Sequence, residues 1–292
     1  MKIIDLYQPG RTVLSLEIFP PRRDYPLDSI FTTVEALQKL DPGFISVTYG
    51  AGGSTRDRTV EIAARIKKVY GIEVVAHLTC VSHRRIELEA IMDSLIKEGI
   101  RNIMALRGDL PEGDPDFDLS TCEYHYASEL IRDARQKADF GILAAAYPEG
   151  HPECERLHQD LLYLKEKADS GVDVLITQFF FDNRKFYDFL DKAEQIGIHC
   201  PIVPGIMPVL NANQIKRMLY LSGASLPGRL VKLLDLYSGD PADMEKAGIE
   251  FASRQVEDLL KNKVPGVHLY TMNKPAQITK IVQNVGLAPQ KA

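Results

Sequence analysis

Short apolar runs alternate with longer amphipathic stretches along most of the chain. Eight of the runs are brief, rich in branched or aromatic residues and bounded by turn residues, which is typical of buried strands. They fall at residues 13–19, 44–48, 73–79, 103–106, 141–146, 174–181, 202–206 and 267–271. Between most of them, apolar residues recur every three or four positions, as on one face of a helix. This alternation favours parallel strands joined by right-handed helical crossovers.

Eight strands alternating with helices predict an α/β fold, a (β/α)8 TIM barrel, in a single domain over residues 1–292. The interval 211–262 is longer than one crossover requires, so we expect extra helices before the eighth strand. The alternative is a doubly wound open sheet, which usually carries a glycine fingerprint after its first strand. Here Pro20 and Pro21 follow the first strand, and the glycine-rich segment 50–53 lacks the third glycine at the required spacing.

Composition and charge exclude several classes of protein. The chain has 45% hydrophobic and 26% charged residues, and its net charge of -5 argues against a nucleic-acid-binding surface. No apolar run approaches the roughly 18 residues of a membrane span, and the N-terminal residues show no signal-peptide pattern. The four cysteines are scattered without a CxxC pair, so neither a zinc site nor a redox dithiol is indicated. We therefore expect a cytoplasmic protein that binds neither nucleic acid nor membrane.

Polar side chains stand at or just beyond the ends of most predicted strands, and in a barrel these ends converge on one site. They comprise carboxyls, a hydroxyl, an imidazole, a guanidinium, an amide and aromatic rings: Glu17, Thr48, His77, Arg107, Asp109, Tyr147, Gln178 and Tyr270. One histidine and two carboxylates on separate strands do not make a metal ligand set, so no metal site is predicted. No lysine at a strand end is suited to a Schiff base, which weakens an aldolase interpretation.

Glu17 is the most informative of these residues because it interrupts an apolar run. Flanked by Leu16 and Ile18, its carboxyl is expected to be partly desolvated, which favours the protonated form. A carboxylic acid held protonated near neutral pH can act as a general acid. The alternative is a glutamate paired with an arginine inside the barrel mouth. For His77, a satisfied core histidine is the interpretation that competes with a functional one.

Six motifs, in order along nearly the whole chain, resemble those of the methylenetetrahydrofolate reductase family. They are LEIFPP at 16–21, VTYGA at 47–51, HLTC at 77–80, LRGD at 106–109, AYPEGHPE at 146–153 and ITQFFF at 176–181. The resemblance is to the short bacterial form, which has the catalytic barrel alone. Six motifs at matching spacing are a far more specific signal than any one of them.

The resemblance implies a barrel that holds FAD non-covalently and reduces 5,10-methylenetetrahydrofolate to 5-methyltetrahydrofolate. NADH or NADPH would be the co-substrate, and the two substrates would react in turn by a ping-pong scheme. Glu17 and Asp109 would be catalytic, with Glu17 as the general acid that promotes opening of the folate's five-membered ring. Substrate contacts would come from Asp109, Gln178, Tyr270 and Lys274. Cofactor contacts would come from Thr48, His77, Arg107, Gly108, Asp109, Tyr126, Ala127, Ala145, Tyr147, His151, Asp160 and Lys167.

Two positions depart from the family's motifs. Ala212 stands where an aromatic residue that stacks on the substrate is frequent, and Lys274 stands where an arginine is common. The charge survives at Lys274, but a bidentate guanidinium fork does not. A homo-oligomer is expected from the resemblance alone.

The residues leave two other enzymatic interpretations open. One is a flavin barrel of another specificity, such as a proline-dehydrogenase-like oxidoreductase, against which the combination of Glu17, Asp109 and Gln178 argues. The other is a catalytic subunit of the same reaction that needs a partner protein for electron input, as some family members in anaerobes do. The choice between NADH and NADPH has no fingerprint motif in the sequence.

Overall fold

Nine parallel strands form a nearly closed barrel in the computed structural model, which describes residues 1–21, 24–49, 56–110 and 117–287. Their spatial order is β7-β6-β5-β4-β3-β2-β1-β9-β8. The strands are β1 Val13–Ile18, β2 Phe44–Val47, β3 Glu73–Thr79, β4 Asn102–Leu106, β5 Gly141–Ala146, β6 Val174–Thr177, β7 Ile202–Val203, β8 Gly205–Ile206 and β9 Gly266–Tyr270. This arrangement confirms the predicted α/β TIM barrel. The glycine-rich segment 50–53 lies outside the described residues.

Ten α-helices in the same described ranges accompany the strands. Three of them, α7 to α9, occupy the interval before β9, which confirms the prediction of extra helices there. A π-helical turn, Ile66–Tyr70, continues α2, and short 3₁₀ helices occupy Ile3–Leu6 and Leu119–Thr121. The helices are α1 Asp28–Gln38, α2 Arg56–Arg65, α3 Arg85–Lys97, α4 Ala127–Lys137, α5 Leu157–Asp169, α6 Asn183–Gln195, α7 Ala212–Ser222, α8 Gly228–Tyr237, α9 Pro241–Lys261 and α10 Pro275–Asn284.

Local capping residues set the limits of the extra helices. The Asp240 side chain accepts hydrogen bonds from the backbone N–H groups of Ala242 and Asp243, and Pro241 stands in the first turn of α9. Gly223 ends α7 in the left-handed conformation, with a φ of 68°. The chain can therefore turn sharply between these helices and return to the barrel at β9.

The predicted seventh strand is split in two by Pro204. β7 pairs with β6, whereas β8 pairs with β9, so two short strands share the closure of the barrel. Pro204 has no N–H to donate, but its carbonyl accepts a hydrogen bond from the N–H of His268 at 3.0 Å. Glycine is needed at position 205, because a Cβ on Gly205 would collide with the carbonyl oxygen of Thr177. The prediction of one continuous strand over 202–206 is therefore wrong.

The sixth strand ends at Thr177 and does not run to Phe181 as predicted. The three phenylalanines that follow separate into different cores. Phe180 stacks on Phe186 of α6 with ring centroids 5.2 Å apart, whereas Phe179 and Phe181 pack with the extra helices. A continuous apolar run thus reflects two packing surfaces and not one longer strand.

An apolar plug fills the barrel at the N-terminal ends of the strands. The 3₁₀ helix Ile3–Leu6 closes this end, and the Asn102 side chain holds it: Oδ1 accepts from the N–H of Ile3 at 2.9 Å, and Nδ2 donates to the carbonyl of Met1 at 3.1 Å. Large side chains of successive strands fill the space above the plug: Phe44, Val75, Met104 and Leu143. This end of the barrel interior is therefore filled by apolar side chains.

Candidate active site

A cavity of about 1120 Å³ opens at the carboxyl ends of the strands. This volume lies at or above the upper end of the range for a single small-molecule site, roughly 300–1,000 Å³. The fold brings together residues from distant parts of the chain, whose roles stay predictions. Every predicted site residue except Lys274 lines the cavity: Glu17, Thr48, His77, Arg107, Gly108, Asp109, Tyr126, Ala127, Ala145, Tyr147, His151, Asp160, Lys167, Gln178 and Tyr270.

Lys274 and Ala212 are not among the residues that line the cavity. Lys274 directly precedes α10, and its backbone N–H donates to the carbonyl of Thr271 at 2.8 Å. Ala212 begins α7 and packs into the apolar cluster of the extra helices. The structure therefore does not bring Lys274 together with the other predicted substrate residues.

Glu17 lies inside the barrel mouth among polar side chains of neighbouring strands. Its Oε2 atom is 3.4 Å from Ser46 Oγ, from His77 Nε2 and from His268 Nε2. The register accounts for part of this arrangement, because Glu17 stands opposite Ser46 on β2 and Tyr270 on β9. Glu17, Ser46, His77 and His268 together form the Glu17 cluster.

The electrostatics of Glu17 differ from the expectation of a raised pKa. Burial alone raises the pKa of this carboxyl, as its apolar flanks suggest. A hydrogen bond with His268, the charges of the two imidazoles and the Ser46 hydroxyl together outweigh burial, and the pKa is lowered below its ordinary value. The expectation is wrong because these neighbours come from β2, β3 and β9. Within the described residues, imidazoles and not an arginine are the basic neighbours of Glu17.

His268 is a functional candidate that the sequence did not single out. It is fully buried, and its Nδ1 atom lies 2.9 Å from the hydroxyl oxygen of Ser15. We assign the tautomer in which the Ser15 hydroxyl donates to Nδ1 and Nε2–H donates to the Glu17 carboxylate. A signal was present, because His268 precedes Tyr270 by two positions and strand residues two apart share a face.

His77 presents a polar atom to the cavity wall. Its side chain is buried, and within the described residues Nε2 makes no hydrogen bond, since the 3.4 Å approach to Glu17 lacks hydrogen-bond geometry. Burial lowers the pKa of His77, and the charge of Glu17 opposes that effect. A buried ring nitrogen without an internal partner favours a ligand-binding histidine over a satisfied core histidine.

Arg107 joins the loop after β4 to the loop after β5. Two of its guanidinium nitrogens donate to the two carboxylate oxygens of Glu153, each at 2.6 Å, and this bond raises the pKa of Arg107. Gly108 follows with a φ of 91°, and a Cβ there would lie 2.9 Å from the Cβ of Thr79. The turn that brings Asp109 to the cavity therefore requires glycine.

A second group of charged and aromatic side chains lines the side of the cavity formed by β5 and α5. Lys167 Nζ donates to the carbonyl of Ala145 at 2.6 Å. Burial lowers the pKa of Lys167 to about 8, with Asp160 opposing the shift. Burial raises the pKa of Tyr147 to about 12, and its ring lies edge-on to His151 with centroids 4.7 Å apart. Lys167, Asp160, Tyr147 and His151 form the Lys167 flank, where a partly buried cation suits an anionic ligand.

Gln178 and Tyr270 are partly engaged by the protein itself. The Oε1 atom of Gln178 accepts from the N–H of Phe179 at 3.0 Å, which leaves its NH₂ group to donate toward a ligand. The Tyr270 hydroxyl donates to the carbonyl of Thr177 at 2.8 Å, and its ring lies edge-on to His268 with centroids 5.3 Å apart. Further residues that the sequence did not single out complete the wall: Phe19, Met207, Met272, Glu153, Arg156, Gln159 and Tyr163.

The described part of the chain shows neither a metal-ligand cluster nor a membrane-spanning helix. Its residues contain no group of three or more histidine, cysteine, aspartate or glutamate side chains placed to hold a metal ion. None of its helices combines the length and the apolar character that crossing a membrane requires.

The fold and the cavity define an α/β barrel with an open site, lined by polar and aromatic side chains, at the carboxyl ends of its strands. The methylenetetrahydrofolate reductase profile matches residues 2–286. The chain belongs to the methylenetetrahydrofolate reductase family, as its motifs predicted.

Curated relatives agree with this assignment. The 5,10-methylenetetrahydrofolate reductase of Escherichia coli is 37% identical over 280 residues, covering 96% of this chain and 93% of that protein. Methylenetetrahydrofolate reductase (NADH) 1 of Arabidopsis thaliana is 35% identical over 302 residues, covering 98% of this chain but 51% of that protein. The chain thus spans about half the length of the plant relatives it matches and nearly the whole of the bacterial one.

A solved structure supports the fold independently. A protein from Clostridium thermocellum, described as binding two copies of 5-methyl-5,6,7,8-tetrahydrofolic acid, superposes with a TM-score of 0.61. The alignment covers 94% of each chain at 14% sequence identity, so the likeness concerns the fold alone.

Proposed function

We propose that this protein reduces 5,10-methylenetetrahydrofolate to 5-methyltetrahydrofolate, with FAD bound non-covalently in the cavity and NADH or NADPH as electron donor. The two substrates react in turn at the same site. The observation that carries the proposal is the Glu17 cluster, a buried carboxyl with two imidazoles at the floor of a cavity that the family's predicted residues line.

The residues present fit a large anionic cofactor such as FAD. The cavity has room for more than one small ligand. The ammonium of Lys167 and the guanidinium of Arg107 can neutralise a pyrophosphate, and the buried Nε2 of His77 offers a polar contact that no described side chain satisfies. Bound FAD would supply the hydride chemistry, and the protein would supply binding, orientation and proton control.

The Glu17 cluster is suited to holding and moving one proton. The lowered pKa makes Glu17 a carboxylate near neutral pH, so its proton must come from a close neighbour or from a bound ligand. The Nε2 atoms of His77 and His268 both lie 3.4 Å from Oε2. We infer that the proton delivered when the folate ring opens is shared among these three side chains.

Asp109 and Gln178 supply complementary hydrogen-bonding groups for the folate's aminopyrimidine ring. A carboxylate accepts from paired N–H donors, and the NH₂ of Gln178, which makes no hydrogen bond within the described part of the chain, can donate to a ring acceptor. Both residues line the same cavity as Glu17. This combination supports a pterin substrate over the small amino-acid substrate of a proline-dehydrogenase-like enzyme.

An anaerobic spectroscopic experiment tests the proposal. The purified protein is reconstituted with FAD, titrated separately with NADH and NADPH, and then given methylenetetrahydrofolate. We expect bleaching of the flavin absorbance by at least one nucleotide and its recovery on addition of the folate. Absorbance that stays oxidised with both nucleotides, but is restored by folate after chemical reduction, would support the alternative of a partner subunit for electron input. Failure to bind FAD at all would contradict the proposal.

A further inference from the structure

The chain leaves β9 through a strained turn beside the Glu17 cluster. Two consecutive residues, Met272 and Asn273, have left-handed backbone conformations with φ values of 51° and 52°. Residues other than glycine rarely adopt this backbone conformation, although asparagine tolerates it better than most. Met272 lines the cavity. Strain of this kind persists where surrounding contacts hold it, and it is frequent at functional sites.

The side-chain amide of Asn273 forms hydrogen bonds with both polar backbone groups of Phe19, the residue that follows β1. Its Oδ1 accepts from the N–H of Phe19 at 3.2 Å, and its Nδ2 donates to the carbonyl of Phe19 at 2.9 Å. The side-chain amide thereby reproduces one rung of a β-ladder. Pro20 and Pro21 follow Phe19 and have no N–H, so the backbone cannot extend the ladder further.

Thr271 ties the same turn to Glu17 itself. Its hydroxyl donates to the carbonyl of Glu17 at 2.6 Å and accepts from the N–H of Asn273 at 3.1 Å. Its backbone N–H also donates to the Glu17 carbonyl at 3.2 Å. The turn therefore holds β1 at Glu17 and again two residues later at Phe19.

The geometry points to a role for Asn273: we propose that it is a positioning residue that keeps the Glu17 carboxyl in register with His77 and His268. The hydrogen bonds from Ser46 and His268 to Glu17 Oε2 are both 3.4 Å long, at the outer limit of hydrogen bonding, and His77 Nε2 lies at the same distance without hydrogen-bond geometry. A small displacement of the end of β1 therefore disturbs all three approaches. The inference rests on the proposed function of Glu17 as the group that delivers a proton.

Two substitutions at position 273 distinguish a positioning role of the Asn273 side chain from a role in tolerating the left-handed backbone. Asn273→Ala removes both hydrogen bonds to Phe19 and disfavours the left-handed backbone. Asn273→Gly removes the same bonds but adopts that backbone freely. If Asn273 positions Glu17, the two variants behave alike. If Asn273 is present only because it tolerates the turn, the glycine variant behaves as the unchanged protein does.

Flavin reduction by the nucleotide and flavin reoxidation by folate are measured separately, which shows which half-reaction the substitutions slow. We expect both variants to reoxidise the reduced flavin with folate at least about tenfold more slowly, with a shifted pH profile, because proton delivery depends on sub-ångström geometry. FAD affinity and flavin reduction by the nucleotide should stay within about twofold. Lys263→Gly is the matched control, since Lys263 has a φ of 57° at the other end of β9 and lies outside the cavity.

Histidine titration by NMR gives a readout that does not depend on the reaction. We expect the pKa of His77 to change in Asn273→Gly and to stay unchanged in Lys263→Gly, because the charge of Glu17, 3.4 Å away, acts on the pKa of His77. A normal folate step in Asn273→Gly, or equal slowing of both half-reactions, would overturn the role of Asn273. If the unchanged protein neither binds FAD nor reacts with folate, the proposed function fails, and an unchanged His77 titration would then overturn the positioning inference separately.

Discussion

The Glu17 cluster and the Lys167 flank are two partly buried charged regions of one cavity, and burial affects the pKa of their central charged groups to different extents. At Glu17, hydrogen bonds and imidazole charges outweigh burial, so the carboxyl keeps its negative charge at neutral pH. At Lys167, burial prevails over the single opposing carboxylate of Asp160, and the pKa of the ammonium falls to about 8. The protein thus compensates the charge of Glu17 with internal partners, but it compensates the charge of Lys167 only in part.

The difference indicates a separate functional role for each region. Because Glu17 is stabilised internally, its charge and position are set before any ligand binds, as a proton-transferring group requires. Lys167 is under-compensated, so an anionic ligand near it would restore its full charge and gain affinity in doing so. Substitutions in the two regions should therefore affect different steps, chemistry in one and cofactor binding in the other.

The largest expected effect is on chemistry at the Glu17 cluster. Glu17→Gln should slow flavin reoxidation by methylenetetrahydrofolate by at least about 100-fold, because the amide cannot take up and deliver the proton. FAD binding and flavin reduction by NADH or NADPH should be retained. Stopped-flow absorbance of each half-reaction checks this, and a normal folate step in Glu17→Gln would remove Glu17 from the catalytic role.

The next effect concerns cofactor binding at the Lys167 flank. Lys167→Met should weaken FAD binding about 10- to 100-fold, the range expected when a charged hydrogen-bond partner is lost. In the unchanged protein, affinity should be full below pH 8 and decline above it, since Lys167, with a pKa of about 8, then loses its proton in the free protein. Fluorescence titrations across this range test the sign, and a pH dependence that survives in Lys167→Met would assign it to another group.

Asp109→Asn should produce an intermediate effect confined to the folate. Replacing the carboxylate with an amide removes one acceptor for the aminopyrimidine N–H groups, so the folate step should weaken about tenfold and the flavin spectrum or potential should shift. The fold should stay intact, as circular dichroism and thermal unfolding would show. An unchanged folate rate would place Asp109 outside the substrate site.

The smallest effect is expected at the ion pair between the two loops. Glu153 is 56% exposed, so its bond to Arg107 should contribute less than about 1 kcal/mol to the free energy of unfolding. Glu153→Gln should tighten FAD binding about two- to threefold, because a carboxylate that competes for Arg107 is removed. Glu250→Gln, in an exposed pair with Arg254 on α9, is the matched control and should leave FAD affinity unchanged.

Strand positions and the barrel followed from local pattern because burial on both faces imposes continuous apolar runs. The hydrophobic pattern was misleading where successive residues of one apolar run pack against different parts of the structure. Pro204 splits the seventh strand between two neighbours, and the phenylalanines after Thr177 serve separate cores. Apolar character reports that a residue is buried, but it does not report which surface the residue meets.

The sequence by itself determined the fold class and the family, and all but one of the site residues that it predicted line the cavity, because strand ends and motifs are local features. It could not determine the charge state of Glu17, the contact with His268 or the reciprocal hydrogen bonds of Asn273. The His268 contact and the Asn273 hydrogen bonds join residues more than 200 positions apart that meet only when β9 closes the barrel beside β1. The charge state of Glu17 depends also on Ser46 of β2 and His77 of β3. Electrostatics and hydrogen-bond geometry act over a few ångströms, so the tertiary structure alone decided them.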